Sequence, residues 1–283
     1  MAEIIDGKLV SKKTREEIAL AVSDFKREND VTPGLAVILV GDDPASAVYV
    51  RNKHRACLEV GINSIEIKLP ASSSEDEVLA EIRELNSRDD VHGILVQLPL
   101  PRHISEEKII AAISPDKDVD AFNPVNVGRI MSGGYEFLPC TPSGIMTLLD
   151  YYNIEISGKR CVVVGRSNIV GKPMAMLLLE RNGTVTVCHS RTKDLRSYTR
   201  EADILVVAIG KPAFIGRDDV KAGAVVIDVG INRLDDGHLI GDVDFAAVSE
   251  VASYITPVPG GVGPMTITTL LKNTLIAAKR SIK

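Results

Sequence analysis

Several side chains in the first half of this 283-residue chain carry groups that could do chemistry together. Tyr49 and Lys53 are four apart, so on a helix they share a face. A tyrosine offers a flat ring for stacking and a hydroxyl. A lysine can move a proton in catalysis once burial lowers its pKa toward neutrality. Gln97 follows the apolar run Gly93-Ile94-Leu95-Val96, and a buried amide is costly without partners. It either satisfies a neighbouring backbone group or contacts Lys53 and a substrate. Asp118 and Asp120 are two apart. One could accept hydrogen bonds from an N–H-rich ring while the other fixes its loop. No third metal ligand lies close by, so no metal site is expected. Taken singly, Lys53 is more often a solvated lysine and Tyr49 a partly buried structural residue.

A second set lies further along. The apolar run Cys161-Val162-Val163-Val164 leads into Gly165-Arg166-Ser167-Asn168-Ile169-Val170-Gly171 and then an apolar helix. The dinucleotide fingerprint G-x-G-x-x-G is met only loosely, with Ser167 at the second glycine and the last glycine displaced to Gly171. Gly165 would permit the tight turn, and exposed amides at the helix start would hold a pyrophosphate. An ordinary strand-to-helix loop is the alternative. The next strand ends at His189-Ser190-Arg191, where an NAD site usually places an Asp or Glu for the ribose. A hydroxyl beside an arginine, with Arg166 in the loop, suits a 2′-phosphate instead, so the residues favour NADP. The alternative is that Arg191 opens a solvated loop. Gly210-Lys211-Pro212 and Asp228-Val229-Gly230 end later strands, where such cofactors lie; their glycines either allow close backbone approach or close turns.

Holding these groups requires a scaffold, and the hydrophobic pattern supplies one. Helices are expected over 10–25, 45–60, 74–85 and 105–113, and strands over 35–40, 64–69 and 93–98. Glu77, three residues past Ser74, marks a capping box. This alternation builds a parallel sheet with helices on both faces. Residues 115–141 break the rhythm with no long periodic segment, and read as a link that lines the gap between two domains. A second alternating region has helices over 144–151 and 170–179. Its strands lie over 160–164, 184–188, 204–209 and 224–229, a ladder shorter than a full six-stranded version. A loop over 255–264 precedes a last helix over 266–278, placed to fold back on the first domain and tie the two lobes together.

Composition agrees. The chain is 45% hydrophobic with no Trp and 4% aromatic residues, so Val, Ile, Leu and Ala must fill the core, as in a buried parallel sheet. The net charge of −5 and the lack of a long basic run exclude a general affinity for nucleic acid. Cys57, Cys140, Cys161 and Cys188 match no zinc or redox spacing and read as reduced core fillers. Residues 1–8 carry acids and no apolar run, so no signal peptide is expected. No stretch approaches the ~20 apolar residues of a membrane helix. An intracellular, cytoplasmic protein is the simplest expectation.

Five segments together resemble the bifunctional methylenetetrahydrofolate dehydrogenase/cyclohydrolase family of the FolD type. They are Tyr49-Val50-Arg51-Asn52-Lys53, the 93–101 stretch around Gln97, Asp116-Lys117-Asp118-Val119-Asp120, the 165–173 loop and the proline-glycine segment over 256–266. The resemblance spans essentially the whole chain. It implies two α/β lobes flanking a cleft: a folate-binding catalytic domain over 1–140 with a largely parallel sheet, and a Rossmann-like NADP-binding domain over 141–264. The helix of 265–283 would pack back on the first. The implied activity is oxidation of 5,10-methylenetetrahydrofolate to the methenyl form with NADP, then hydrolysis to 10-formyltetrahydrofolate, in a homodimer. By the same resemblance Lys53 is the proton-transfer residue, Gln97 tunes it, and Tyr49 stacks on the folate and helps order the lysine. Asp120 grips the pterin, and Pro257, Gly260 and Gly261 wall the folate site. Gly165, Arg166, Ser167, Ile169, His189, Ser190, Arg191, Gly210 and Ile231 belong to the cofactor. A malate-like or amino-acid dehydrogenase, a folate enzyme that has lost one of the two activities, and a non-catalytic nucleotide-binding module are the rival readings. The Tyr49, Lys53, Gln97 and Asp120 set with Gly260-Gly261 favours folate.

Overall fold

A computed structural model describes residues 1–282. The first half of the chain holds β1 (Glu3–Ile4), α1 (Gly7–Asn29), β2 (Gly34–Val40), α2 (Pro44–Val60) and β3 (Asn63–Leu69). Then come α3 (Glu75–Ser87), β4 (Gly93–Val96), α4 (Glu106–Ala112) and α5 (Pro124–Ser132). The second half continues with α6 (Cys140–Tyr151), β5 (Arg160–Val164), α7 (Gly171–Glu180), β6 (Thr184–Cys188), α8 (Leu195–Thr199) and β7 (Ile204–Val207). It ends with β8 (Val225–Asp228), β9 (Asn232–Arg233), β10 (Leu239–Ile240), α9 (Phe245–Ser249), β11 (Tyr254–Ile255) and α10 (Val262–Ser281). The residues form two compact units. One is Lys13–Cys140 with the chain from Ile267 onward; the other is Met1–Lys12 with Thr141–Thr266.

The first unit is built on a parallel sheet of order β3-β2-β4. Every residue of β2 is buried, so it reads as a continuous apolar run rather than an alternation. Its side chains still alternate between two cores. Leu35, Val37 and Leu39 pack with Ile18, Val22 and Phe25 of α1, Val50 and Val60 of α2, and Leu270, Leu271 and Leu275 of α10. Ala36, Ile38 and Val40 pack with Val78, Ile82 and Leu85 of α3 and with Ile109 of α4. The expected capping box forms: Ser74 accepts from the Glu77 amide, and the Glu77 carboxylate accepts from the Ser74 amide.

Three expectations change here. β4 ends at Val96, short of residue 98, because Pro99 has no amide to extend the ladder; the Gln97 amide still reaches the Ile38 carbonyl at 2.9 Å. Residues 115–141 contain a helix, α5, whose signals are its Asn123 cap, Pro124 in the first turn and Gly133 in the left-handed conformation at its end. The last helix opens at Val262 rather than residue 266.

The second unit carries a parallel six-stranded sheet of order β1-β11-β8-β7-β5-β6. Val162, Val164, Leu205, Val207, Val226 and Ile255 form one side of its core. The ladder is longer than the sequence suggests because two-residue strands complete it, and a two-residue strand has no period to read. One of them comes from residues 1–12, expected with the first domain. Instead Glu3 and Ile4 pair with Tyr254 and Ile255. Just after this strand, the Lys8 amide donates to the Gly260 carbonyl at 3.1 Å. A Cβ on Gly7 would sit 1.7 Å from the Gly261 carbonyl oxygen. That clash is with backbone and cannot be relieved by a rotamer change. Gly7→Ala is therefore expected to cost about 3 kcal/mol, the upper part of the overpacking range, read as a lowered midpoint in denaturant unfolding. An unchanged midpoint would contradict this packing.

Candidate active site

Helix α2 begins with Pro44 behind an Asp43 cap, whose carboxylate accepts from the Ser46 amide at 2.7 Å. Two and a half turns on, Lys53 donates from Nζ to Gln97 Oε1 at 3.0 Å. Gln97 Nε2 in turn donates to the Leu98 carbonyl at 2.7 Å. The second bond orients the amide, so its oxygen is the atom that faces the amine. Lys53 is half-buried as a residue, while its amine is the enclosed end. Burial holds that amine below the ordinary lysine value, against the opposing charge of Asp120. Burial likewise pushes the Asp120 carboxyl up, with Lys53 pulling it down. The structure thus brings Lys53, Gln97 and Asp120 into one centre. Tyr49 lies one turn before Lys53 with 41% of its surface exposed, and among the described residues no hydrogen bond joins the two.

The two aspartates divide their roles. Asp118 is buried, and its Oδ2 accepts from the Asn123 amide at 2.8 Å and from Asn126 Nδ2 at 2.9 Å. Burial raises its pKa to about 6 against those hydrogen bonds. Asp118 therefore fixes the loop, and Asp120 is left to the Lys53 centre. Beside Asp120, the buried Ala121 adopts a left-handed φ of 57°, a conformation that persists only when its surroundings impose it. Part of that constraint comes from α10, where Asn273 donates to the carbonyls of Val119 at 2.8 Å and Leu138 at 3.0 Å. Cys140 contributes a thiol bonded to the Val119 carbonyl at 3.5 Å, and burial lifts its pKa well above the usual range. Sequence reasoning missed both Asn273 and Cys140. For Asn273 the available signal was an amide set among Leu270, Leu271 and Leu275; Cys140 carried none.

In the other unit, β5 delivers the Gly165 turn. Gly165 has φ 134°, and a Cβ there would meet the Ala208 carbonyl oxygen at 2.3 Å. A Cβ on Gly171 would meet the Gly165 carbonyl oxygen at the same distance. Both glycines are needed for the loop to close on itself. The expected free amides at the start of α7 are not all free: Ser167 Oγ accepts from Val170 N at 3.2 Å and Gly171 N at 3.3 Å. With both acceptor positions engaged, the hydroxyl proton is what Ser167 offers to an anion. Arg166 and Ile169 are exposed beside it. After β6, Thr192 Oγ1 accepts from the His189 amide at 2.8 Å and His189 Nδ1 from the Arg191 amide at 3.1 Å. That turn presents Ser190 and Arg191 to solvent. Gly210 has φ 65°, and Ile231 is exposed. Pro257, Gly260 and Gly261 belong to this unit, not to the unit of Lys53. Gly260, at φ 112°, and Gly261 are buried, and Pro257 is half-buried.

A parallel sheet with a glycine turn, basic side chains at its ligand-binding edge and, in a separate unit, a desolvated amine held by an amide define a nucleotide-using α/β enzyme. The chain belongs to the tetrahydrofolate dehydrogenase/cyclohydrolase family: the family's catalytic-domain model matches residues 5–120 and its NAD(P)-binding-domain model residues 139–282. It is 60% identical to the bifunctional protein FolD of Acetivibrio thermocellus, over 100% of this chain and 99% of that protein. Among solved structures it resembles the bifunctional FolD methylenetetrahydrofolate dehydrogenase/cyclohydrolase of Campylobacter jejuni, with a TM-score of 0.96 and 52% identity over 99% of each chain. The Trypanosoma brucei enzyme, solved with NADP and an inhibitor, matches at TM-score 0.96 and 41% identity, over 100% of this chain and 99% of that one.

Burial lowers the pKa of two lysines, Lys53 and Lys117, so the Lys53 signal is identified by its loss in Lys53→Met. A pH titration of protein labelled at lysine Cε is expected to show that signal losing its proton below the ordinary lysine value. Uniform titration of every lysine near that value would rule the arrangement out.

Proposed function

We infer that this chain oxidises 5,10-methylenetetrahydrofolate to the 5,10-methenyl form with NADP and hydrolyses that product to 10-formyltetrahydrofolate. The observation that carries the reading is the 3.0 Å contact between the depressed-pKa amine of Lys53 and Gln97, beside Asp120. It occurs in a chain 60% identical to a bifunctional FolD.

The donor set fits NADP. Arg166 and Arg191 are exposed, Ser167 and Ser190 carry hydroxyls, and His189, Ser190, Arg191 and Thr192 include no carboxylate to repel a 2′-phosphate. The Gly165 loop and Ser167 would hold the pyrophosphate, and the two arginines the 2′-phosphate. When bound, NADP supplies the hydride acceptor.

The hydrolytic step rests on the chain's own residues. A lowered pKa raises the share of neutral Lys53 amine. One N–H of that amine is committed to Gln97 Oε1, which leaves the nitrogen lone pair to accept from a water. As the water oxygen bonds to the methenyl carbon, Lys53 takes its proton. The new hydroxyl becomes the formyl carbonyl when the ring carbon–nitrogen bond breaks and that nitrogen is protonated, so one proton is released overall. Asp120 accepts hydrogen bonds from the pterin, and the exposed Tyr49 ring stacks on the substrate. An arginine could not replace Lys53, because it would hardly give up its proton.

A general base of this kind contributes about 10²–10⁴-fold. Lys53→Met is expected to lower methenyl hydrolysis by at least about 10²-fold, with NADP binding and thermal stability retained. Full retention of hydrolysis would remove Lys53 from the mechanism. The reading extends to a homodimer, following the family resemblance. Sedimentation equilibrium should then give twice the 30.5 kDa chain mass, and a monomer across the micromolar range would exclude it.

A further inference from the structure

Two buried carboxylates in the nucleotide-binding unit have no part in the steps above. Asp228 ends β8. Its Oδ1 accepts from Gly230 N at 3.0 Å and Asp242 N at 2.9 Å, and its Oδ2 from Val243 N at 2.9 Å. Asp242 is fully buried. Its Oδ2 accepts from Ile209 N at 2.7 Å and Gly210 N at 2.9 Å. Its Oδ1 accepts from Lys211 N at 2.8 Å and Asn232 Nδ2 at 2.9 Å. Two glycines make room for this. A Cβ on Gly230 would fall 2.2 Å from Asp242 Oδ1, and one on Gly241 would fall 1.8 Å from Asp228 Oδ2.

All four partners of Asp242 are donors, so only an ionised carboxylate satisfies them together. An asparagine would oppose its own N–H₂ to at least one of these donors. The segments that Asp242 holds, 209–211 and Asn232, follow β7 and β8 at their carboxyl ends, where ligands bind in parallel sheets. They carry or adjoin Gly210 and Ile231, which the proposed function assigns to NADP.

We propose that Asp242 is a positioning residue for the cofactor: it touches no ligand, and its buried charge sets the backbone of the two loops that do. The proposal rests on the functional reading above, and the tests separate the two. The variant is Asp242→Asn in the full chain. Calorimetric titration gives its affinity for NADP, and hydrolysis of 5,10-methenyltetrahydrofolate supplied directly is followed without cofactor. Mispairing one or two buried donors should weaken NADP binding by about 10- to 100-fold, with hydrolysis kept within about twofold. In the dehydrogenase assay KM for NADP should rise more than kcat falls. NADP affinity within about twofold of the parent would overturn the proposal, as would loss of hydrolysis in step with binding, since that marks global damage. A parent protein that does not bind NADP would overturn the functional reading itself, and this proposal with it. If Asp242→Asn does not fold, Asn232→Ala removes a single donor and leaves the three backbone bonds. It should weaken NADP binding by several-fold, and unchanged affinity would count equally against the proposal.

Discussion

The proposed chemistry depends on one amine kept out of water. The amine of Lys53 is enclosed, one hydrogen bond from Gln97 and within the field of Asp120. Desolvation disfavours its charged form, and the aspartate, itself pushed toward protonation by burial, offsets only part of that. Two groups that would form an ion pair in water instead share a site that penalises both charges. Proton transfer needs this condition, because a group poised between its two forms can accept and return a proton cheaply. The fold maintains it by supporting each member from a different element: α2 carries Lys53, the end of β4 carries Gln97, and the loop fixed by Asp118 carries Asp120.

The nucleotide-binding unit solves a related problem with backbone rather than side chains. Its loops at the carboxyl ends of the strands are pinned by oxygen atoms that collect amides: Ser167 Oγ takes two, and Asp242 takes three and a side-chain amide. Glycines at 165, 171, 230 and 241 let those oxygens and carbonyls approach closer than any Cβ would allow. Loop shape is thus set by hydrogen-bond geometry, which is directional, where apolar packing alone would leave it soft.

Much of this could be read from the residues, and the parts that could not share a cause. β2 and β5 end where the apolar runs end, because a buried parallel strand writes its length in hydrophobic residues. The Ser74 box and the Lys53–Gln97 pair follow from local chemistry: a cap spacing in one case, an amide stranded in an apolar strand in the other. By contrast β1 and β11 are two residues long and show no period. Helix α5 was readable only from its caps, since nine residues give too few turns for a stripe. Asp242 and Asn273 bind backbone atoms of segments far away in the chain, and no spacing rule connects an aspartate at 242 to amides at 209–211. A side chain that binds backbone within one turn, as Ser74 does, leaves a spacing; one that binds backbone far along the chain leaves no spacing.

The pairing of Glu3 and Ile4 with Tyr254 and Ile255 has a consequence for how the protein is made. Glu3 and Ile4 leave the ribosome long before Tyr254 and Ile255, with which they pair. Throughout translation their amides and the Gly7 corner stay exposed, while the 13–140 segment can already gather around β2. Completion of the lysine-bearing unit waits as well, because Leu270, Leu271 and Leu275 of α10 complete its core. The outer strand β1 joins the nucleotide-binding sheet only after Tyr254 and Ile255 have been made. An amino-terminal extension, such as an affinity tag, would sit on the one strand that must wait for that closure.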